Sequence, residues 1–171
     1  MDIRSSVTQA KQNEKYSVDI TAAFGKYSDT VYRLAYIRTK NKADSEDILS
    51  DVFLRLVKSV HKICSDEHLK AWLIRATLNS SNTVLRSPYR TRKVDLNQEV
   101  LFSKESDFKI LPFVLNLSDK LKTVIYMFYY EGYSVEEISK LCSVPVGTVK
   151  SRLARARDAL KLELKGEFFD V

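Results

Sequence analysis

The sequence predicts an all-α protein made of two small helical domains joined by a linker, and three observations carry that expectation. Only four Gly and three Pro occur in 171 residues, too few for the tight turns of an all-β fold. Apolar residues recur at i, i+3 and i+4 through most of the chain, the period of amphipathic helices. The length accommodates two lobes, since a chain of roughly 60 residues or more can sustain its own core, and 44% hydrophobic residues supply the material.

Residues 1–17 form a polar, charged tail without the apolar stretch of a signal peptide. The longest apolar run, Val124 to Tyr130, is far shorter than the ~20 residues of a membrane span. Cys64 and Cys142 lie far apart with no C-x-x-C, which argues against a disulfide framework or zinc ribbon. A cytoplasmic protein without membrane insertion is expected. The net charge of +6 and pI near 9.2 favour a polyanionic partner, though the excess is too small to identify one.

The first domain is expected over residues 18–93. Ile20, Ala23, Phe24, Tyr27, Val31, Leu34, Ala35 and Ile37 predict one or two amphipathic helices over residues 18–39. Ile48, Leu49, Val52, Phe53 and Leu56 mark a helix from about Ala43 to Val60. Leu69, Leu73, Ala76 and Leu85 mark another from about His68 to Leu85, and the three faces can close a small bundle. Periodicity fades over residues 94–109, where Asp95, Glu99, Glu105 and Asp107 suggest a solvated linker. The second domain then spans residues 110–171, opening with short helices at Leu111–Leu117 and Leu121–Tyr130.

The sharpest local signal follows. Ser134-Val135-Glu136-Glu137 is a capping box, in which the Ser hydroxyl and the Glu carboxylate satisfy each other's backbone amides. Ile138 and Leu141 give this helix a buried face, Cys142-Ser143-Val144 the turn, and Pro145 the start of a second helix. On that second helix Val149, Leu153, Ala156 and Leu160 share one side. Lys150, Arg152, Arg155, Arg157 and Lys161 crowd the other, with Thr148 and Ser151 near its start. Such a rod suits a major groove, its first turns at base edges and its long cations on phosphates. The bland alternative is an ordinary amphipathic helix with a solvated basic face.

Leu117-Ser118-Asp119-Lys120 through Leu160, above all Gly132 to Ile138 and Pro145 to Arg157, resembles region four of extracytoplasmic-function sigma factors. The resemblance implies that Lys150, Ser151 and Arg155 contact the minus-35 promoter element, with Thr148 beside them, and that Arg152 holds its backbone. Ala154 stands where the family often has a larger or aromatic residue.

A helix-turn-helix alone would equally serve a repressor, so the first domain must discriminate. Asp44, Asp47 and Asp51, at i, i+3 and i+7, form one acidic stripe beside the apolar face of their helix. A solvated first turn complementing the helix dipole, with Asp51 paired to Arg55, is the plain explanation. The stretch Ala43 to Leu56, however, resembles the region two helix that grips the β′ coiled coil of core RNA polymerase. That likeness implies polymerase contacts at Asp44, Asp47, Asp51 and Phe53, and a second contact between region four and the β flap.

Leu69 to Asn79 resembles the part of region two that holds the melted minus-10 strand. Opening a duplex without ATP requires pockets for exposed bases and cations for the strand. Asn79, Asn82 and Thr83, followed by Arg86, Arg90 and Arg92 around Tyr89, are the parts expected to do this, with Asn79 the base reader. By the same likeness Ser65 to His68 walls a pocket for a flipped base. Trp72 is expected in the core. His61, Cys64 and His68 could approach a metal but lack a fourth ligand, so a packed Cys with surface His is expected and no cofactor.

The resemblance implies core polymerase and promoter DNA as partners, and an anti-sigma factor as a plausible third. Two other functions are weighed. A stand-alone helix-turn-helix regulator would bind operator duplex tightly without polymerase, whereas a sigma factor would need core enzyme. A nuclease would need a P-loop, H-E-x-x-H, nucleophile elbow or dense carboxylate cluster, and the sequence has none. A non-enzymatic protein is therefore expected.

Overall fold

A computed structural model describes residues 16–87 and 105–169, with side-chain surroundings for 16–87 and 111–164. All regular structure among the described residues is helical.

Helix α1, Ile20–Thr39, starts where the Asp19 carboxylate accepts from the Thr21 and Ala22 amides at 2.9 and 3.1 Å. It is a single helix, ended by Lys40 in the left-handed region at φ 54°, whose amide donates to the Tyr36 carbonyl. Helix α2, Lys42–Ser59, follows at once, its first turn held by Asn41 accepting from the Asp44 amide at 2.9 Å. A short 3₁₀ turn, Val60–Lys62, leads to α3, Asp66–Arg86, which is capped by Ser65.

These three helices bury Val31, Ala35, Ile48, Val52, Leu56, Leu69 and Leu73 against one another. Buried hydroxyls inside this bundle find partners close by. The Thr39 and Ser45 hydroxyls meet at 3.0 Å, and those of Thr77 and Ser81 donate to carbonyls one turn back. Trp72 is half-buried at the edge of the core. Phe24, expected on the apolar stripe, is 47% exposed, because α1 turns Ala23 and Tyr27 inward instead.

Helix α4 runs Glu105–Asn116, so it begins inside the segment expected as linker and carries Glu105 and Asp107. Helix α5, Asp119–Ile125, gives way to a π-helical turn, Tyr126–Tyr130, where one continuous helix was expected. The Glu131 amide reaches the Tyr126 carbonyl, and that of Tyr133 the Met127 carbonyl, so the wide turn closes its own orphan groups. Gly132, at φ 72°, makes the reversal that a side chain would hinder.

Helices α6, Val135–Cys142, and α7, Val146–Phe169, form the helix-turn-helix. The capping box is complete, with Ser134 accepting from the Glu137 amide at 3.2 Å and Glu137 from the Ser134 amide at 2.8 Å. Ser143 adopts φ 54° in the turn, and the Ser139 hydroxyl donates to the Val144 carbonyl at 2.6 Å to fix it. Pro145 lies just before α7 and its carbonyl accepts from Thr148 and Val149.

The two halves pack directly. Leu34, Tyr36 and Ile37 of α1 and Ile74 and Leu78 of α3 share a core with Leu111, Val114, Val124, Tyr126, Ile138 and Leu153. The reason lies in α1, which is apolar on two sides: Val31 and Ala35 face its own bundle, and Leu34 and Ile37 face the C-terminal half. Across the seam Lys70 pairs with Glu131 at 3.4 Å and lies 4.8 Å from the Tyr133 ring centre.

Candidate nucleic-acid interface

The acidic stripe lies on α2 as its spacing requires, with Asp47 exposed and Asp44 and Asp51 half-buried. Asp51 accepts from Arg55 at 2.9 and 3.0 Å and from the Ser80 hydroxyl at 2.9 Å, which ties α2 to α3. Part of its charge therefore serves the fold. Phe53 is 7% exposed and meets Phe24 edge-on at 4.9 Å, so most of its ring is packed in the core. The apolar edge beside the ridge is made by Phe24, Leu54 and Val57, with exposures of 47, 65 and 52%. With Ile20 and Phe53 they line an open groove between α1 and α2.

On α3, Asn79, Asn82, Thr83 and Arg86 are all exposed. The Thr83 hydroxyl donates to the Asn79 carbonyl at 3.2 Å. The Asn82 side-chain oxygen accepts from Arg38 at 2.6 Å. Asn79, Asn82 and Arg86 face a cleft of about 360 Å³ whose far wall belongs to the C-terminal half. Arg90 and Arg92, with Tyr89 and Lys93, lie outside the described residues.

On α7 the buried side is Val149, Leu153 and Ala156, and Lys150, Ser151 and Arg155 are exposed. Thr148 is half-buried in the first turn, its carbonyl accepting from the Ser151 hydroxyl at 3.0 Å. Arg155 donates to the Ser151 carbonyl at 3.4 Å, a long bond that leaves the guanidinium outward. Arg157 turns back, donating to the Tyr129 hydroxyl at 2.8 Å with its guanidinium against the Phe128 and Tyr129 rings. Arg152 is half-buried and lines the cleft opposite Asn79, Asn82 and Arg86.

Three cations of this cleft escaped the sequence reading: Arg38, Arg75 and Lys120. Nothing local marks them. Arg38 sits in an apolar stretch yet is only 8% exposed, and buried cations are rare enough that no pattern anticipates one. Burial pushes its guanidinium down, and the same cause lowers the Lys122 ammonium, which pairs with Asp119 at 2.7 Å.

Cys64 was expected to be packed and is exposed instead, its sulfur 3.2 Å from Nδ1 of His68. It sits between the buried Ile63 and the Ser65 cap, on the outer side of the loop. His61 is exposed on the 3₁₀ turn. Among the described residues no three His, Cys, Asp or Glu side chains gather at metal-binding range, and no helix is long and apolar enough to cross a membrane. At the start of α3, Asp66 accepts from Lys26 at 2.7 Å and from Tyr27 at 2.8 Å, and these bonds hold its carboxyl below the usual range. One of its two oxygens is thus engaged by α1.

Comparisons with known proteins agree with this arrangement. The family model described as Sigma-70 region 2 matches residues 23–91, and that of Sigma-70 region 4 matches residues 110–160. The sigma factor SigW of Bacillus subtilis is 27% identical over 189 aligned positions, covering 96% of this chain and 98% of its own. The sigma-E factor of Haemophilus influenzae is 24% identical, covering 93% of each chain. Among solved structures, the sigma factor RpoE of Bartonella quintana, in complex with the anti-sigma factor NepR, superposes with a TM-score of 0.66 at 18% identity. That superposition covers 85% of this chain and 96% of the other. The two halves thus carry regions 2 and 4 of a transcription initiation factor, and the chain belongs to the extracytoplasmic-function RNA polymerase sigma factors.

Proposed function

We propose that this sigma factor docks on core RNA polymerase through the ridge Asp44, Asp47 and Asp51, with the groove of Phe24, Leu54 and Val57 as its apolar half. Leu54 falls two helical turns after Asp47, so acid and apolar stripes run side by side on the outer face of α2. An interface needs such a pairing, apolar area for affinity and charge for steering toward a basic partner. The β′ coiled coil is the partner assigned to this face, and the β flap to the C-terminal half. Phe53 acts from beneath, holding Phe24 in place.

Promoter DNA is read by two groups of residues. Lys150, Ser151 and Arg155, with Thr148 and Arg152, take the minus-35 element. Asn79, Asn82, Thr83 and Arg86, continued by Arg90 and Arg92, take the melted minus-10 strand. The protein acts in the cytoplasm and catalyses no reaction itself. Its domains are assigned as 18–93 and 110–171, with 94–109 between them.

The single observation that carries this reading is the pairing, in one chain, of an acidic ridge on α2 that exposes Asp47 with an exposed cationic face on α7. A protein that only occupied duplex would gain nothing from the ridge. An anti-sigma partner is inferred from a relative of the fold, the RpoE of Bartonella quintana, which was solved in complex with an anti-sigma factor. A gel shift separates sigma action from stand-alone binding: weak association with promoter duplex alone and a tight complex after addition of core polymerase. Tight duplex binding without polymerase contradicts the proposal.

A further inference from the structure

The cleft between the two halves is lined by five cationic side chains, Arg38, Arg75 and Arg86 from the N-terminal half and Lys120 and Arg152 from the C-terminal half. No carboxylate lines it among the described residues. Like charges facing one another across a narrow gap repel, and partial burial weakens the water that would screen them. The charge of Asp119 reaches Arg38, but its carboxylate is engaged by Lys122 at 2.7 Å.

Arg38 itself is only 8% exposed and makes two hydrogen bonds to neutral groups, one across the seam to Thr123 and one within its own half to Asn82. Its Nε has no acceptor in the protein. A buried guanidinium with no carboxylate partner is an unbalanced charge, and buried charges are ordinarily paired. Beside it, the Arg75 guanidinium is fixed by donating to the Lys140 carbonyl at 3.1 Å. The cationic wall is therefore built, not merely a set of floating side chains.

We infer that this cleft is a binding site for a small, multiply charged phosphate anion of the oligophosphate or nucleotide class. The volume, about 360 Å³, lies in the range of small-ligand pockets and cannot admit a duplex while the halves are closed. Guanidinium groups converging from both halves match the planar, bidentate geometry that phosphate oxygens accept. The side-chain amides of Asn79 and Asn82 supply neutral donors at the same cleft. A bound anion cross-links α3 to α7 and stabilises the closed arrangement. Only the consequence, that such closure keeps Asn82 and Arg152 from promoter DNA, rests on the function proposed above.

The test uses the full chain with neither DNA nor polymerase, so its outcome is independent of that function. Titration calorimetry and thermal unfolding are run with sodium tripolyphosphate and with ATP without added metal, against chloride at matched ionic strength. Saturable one-to-one binding with a raised melting temperature is expected for at least one probe. Arg75→Glu combined with Lys120→Glu should weaken it at least tenfold, while Lys58→Glu, on an exposed face of α2, should leave it unchanged. Tighter binding of ATP identifies a nucleotide ligand and tighter tripolyphosphate an inorganic one, and either supports the site. Should the double variant fail to fold, the exposed Lys120→Gln is expected to weaken binding several-fold. Absence of saturable binding by both probes overturns the inference. So does equal loss in Lys58→Glu, or unchanged affinity in the cleft variants.

Discussion

Arg38 and Thr123, 85 positions apart in sequence, are joined by a buried 2.7 Å hydrogen bond from the guanidinium to the threonine hydroxyl. The same guanidinium reaches Asn82 at 2.6 Å, so one side chain of α1 fastens α3 to α5. Hydrogen bonds to a charged group contribute roughly 1.5–3 kcal/mol each. Arg38→Met should therefore lower stability by roughly 2–5 kcal/mol, less than two such bonds because the thioether still fills the space. Denaturant unfolding measures the loss, and small-angle scattering should show a larger radius of gyration as the halves part. An unchanged radius together with unchanged stability would remove Arg38 from that role.

Asp47 is exposed on the ridge. Asp47→Arg should abolish run-off transcription while leaving the circular dichroism spectrum unchanged, since it inverts the proposed polymerase grip alone. Asp51→Asn should behave differently, lowering stability as well as transcription, because Asp51 also anchors Arg55 and Ser80. Equal effects of the two substitutions on stability would contradict this division.

Lys150 and Arg155 are both exposed on α7. If each reads a base edge, Lys150→Ala or Arg155→Ala should cost about 1–3 kcal/mol at selected promoter positions; a phosphate contact should weaken all sequences alike. A randomised minus-35 library distinguishes the two patterns.

The helix-turn-helix rests on its cap. Ser134→Ala should destabilise the C-terminal half by about 0.5–2 kcal/mol. Hydrogen bonds from the Ser134 amide and hydroxyl hold the Glu137 carboxyl below its ordinary value of 4.5. A depressed folded value means that the unfolded chain binds the proton first, so the contribution is complete above 4.5 and is lost as pH falls through the folded value. The stability gap between the wild type and Glu137→Gln should accordingly narrow on acidification from neutral pH, as followed by thermal unfolding. A gap independent of pH would contradict the assignment.

What could be read from the chain beforehand follows the reach of the physics involved. Local signals, such as the Ser134–Glu137 box, the Ser143 turn and the buried series Val149, Leu153 and Ala156, depend on neighbours three or four residues away, and they appear in the structure where expected. The direct packing of the two halves was not legible. Helical periodicity assigns each helix one buried face, and α1 has two, so Leu34 and Ile37 looked like part of the first bundle. The same limit hid Arg38, whose burial depends on Thr123 arriving from far along the chain. Phe53, placed by its spacing on the apolar face of α2, is buried there with Phe24 lying against it. Cys64 was assumed packed because free cysteines usually are, but its loop turns it outward toward His68.

The account's central claim is that this chain directs initiation by joining core polymerase to promoter DNA. Run-off transcription with purified core polymerase and templates selected from the native genome tests it most directly. Specific transcripts should appear only when the chain is added and should disappear with Asp47→Arg. Failure of the wild-type chain to associate with core enzyme, or to start transcription from any template, would contradict the account.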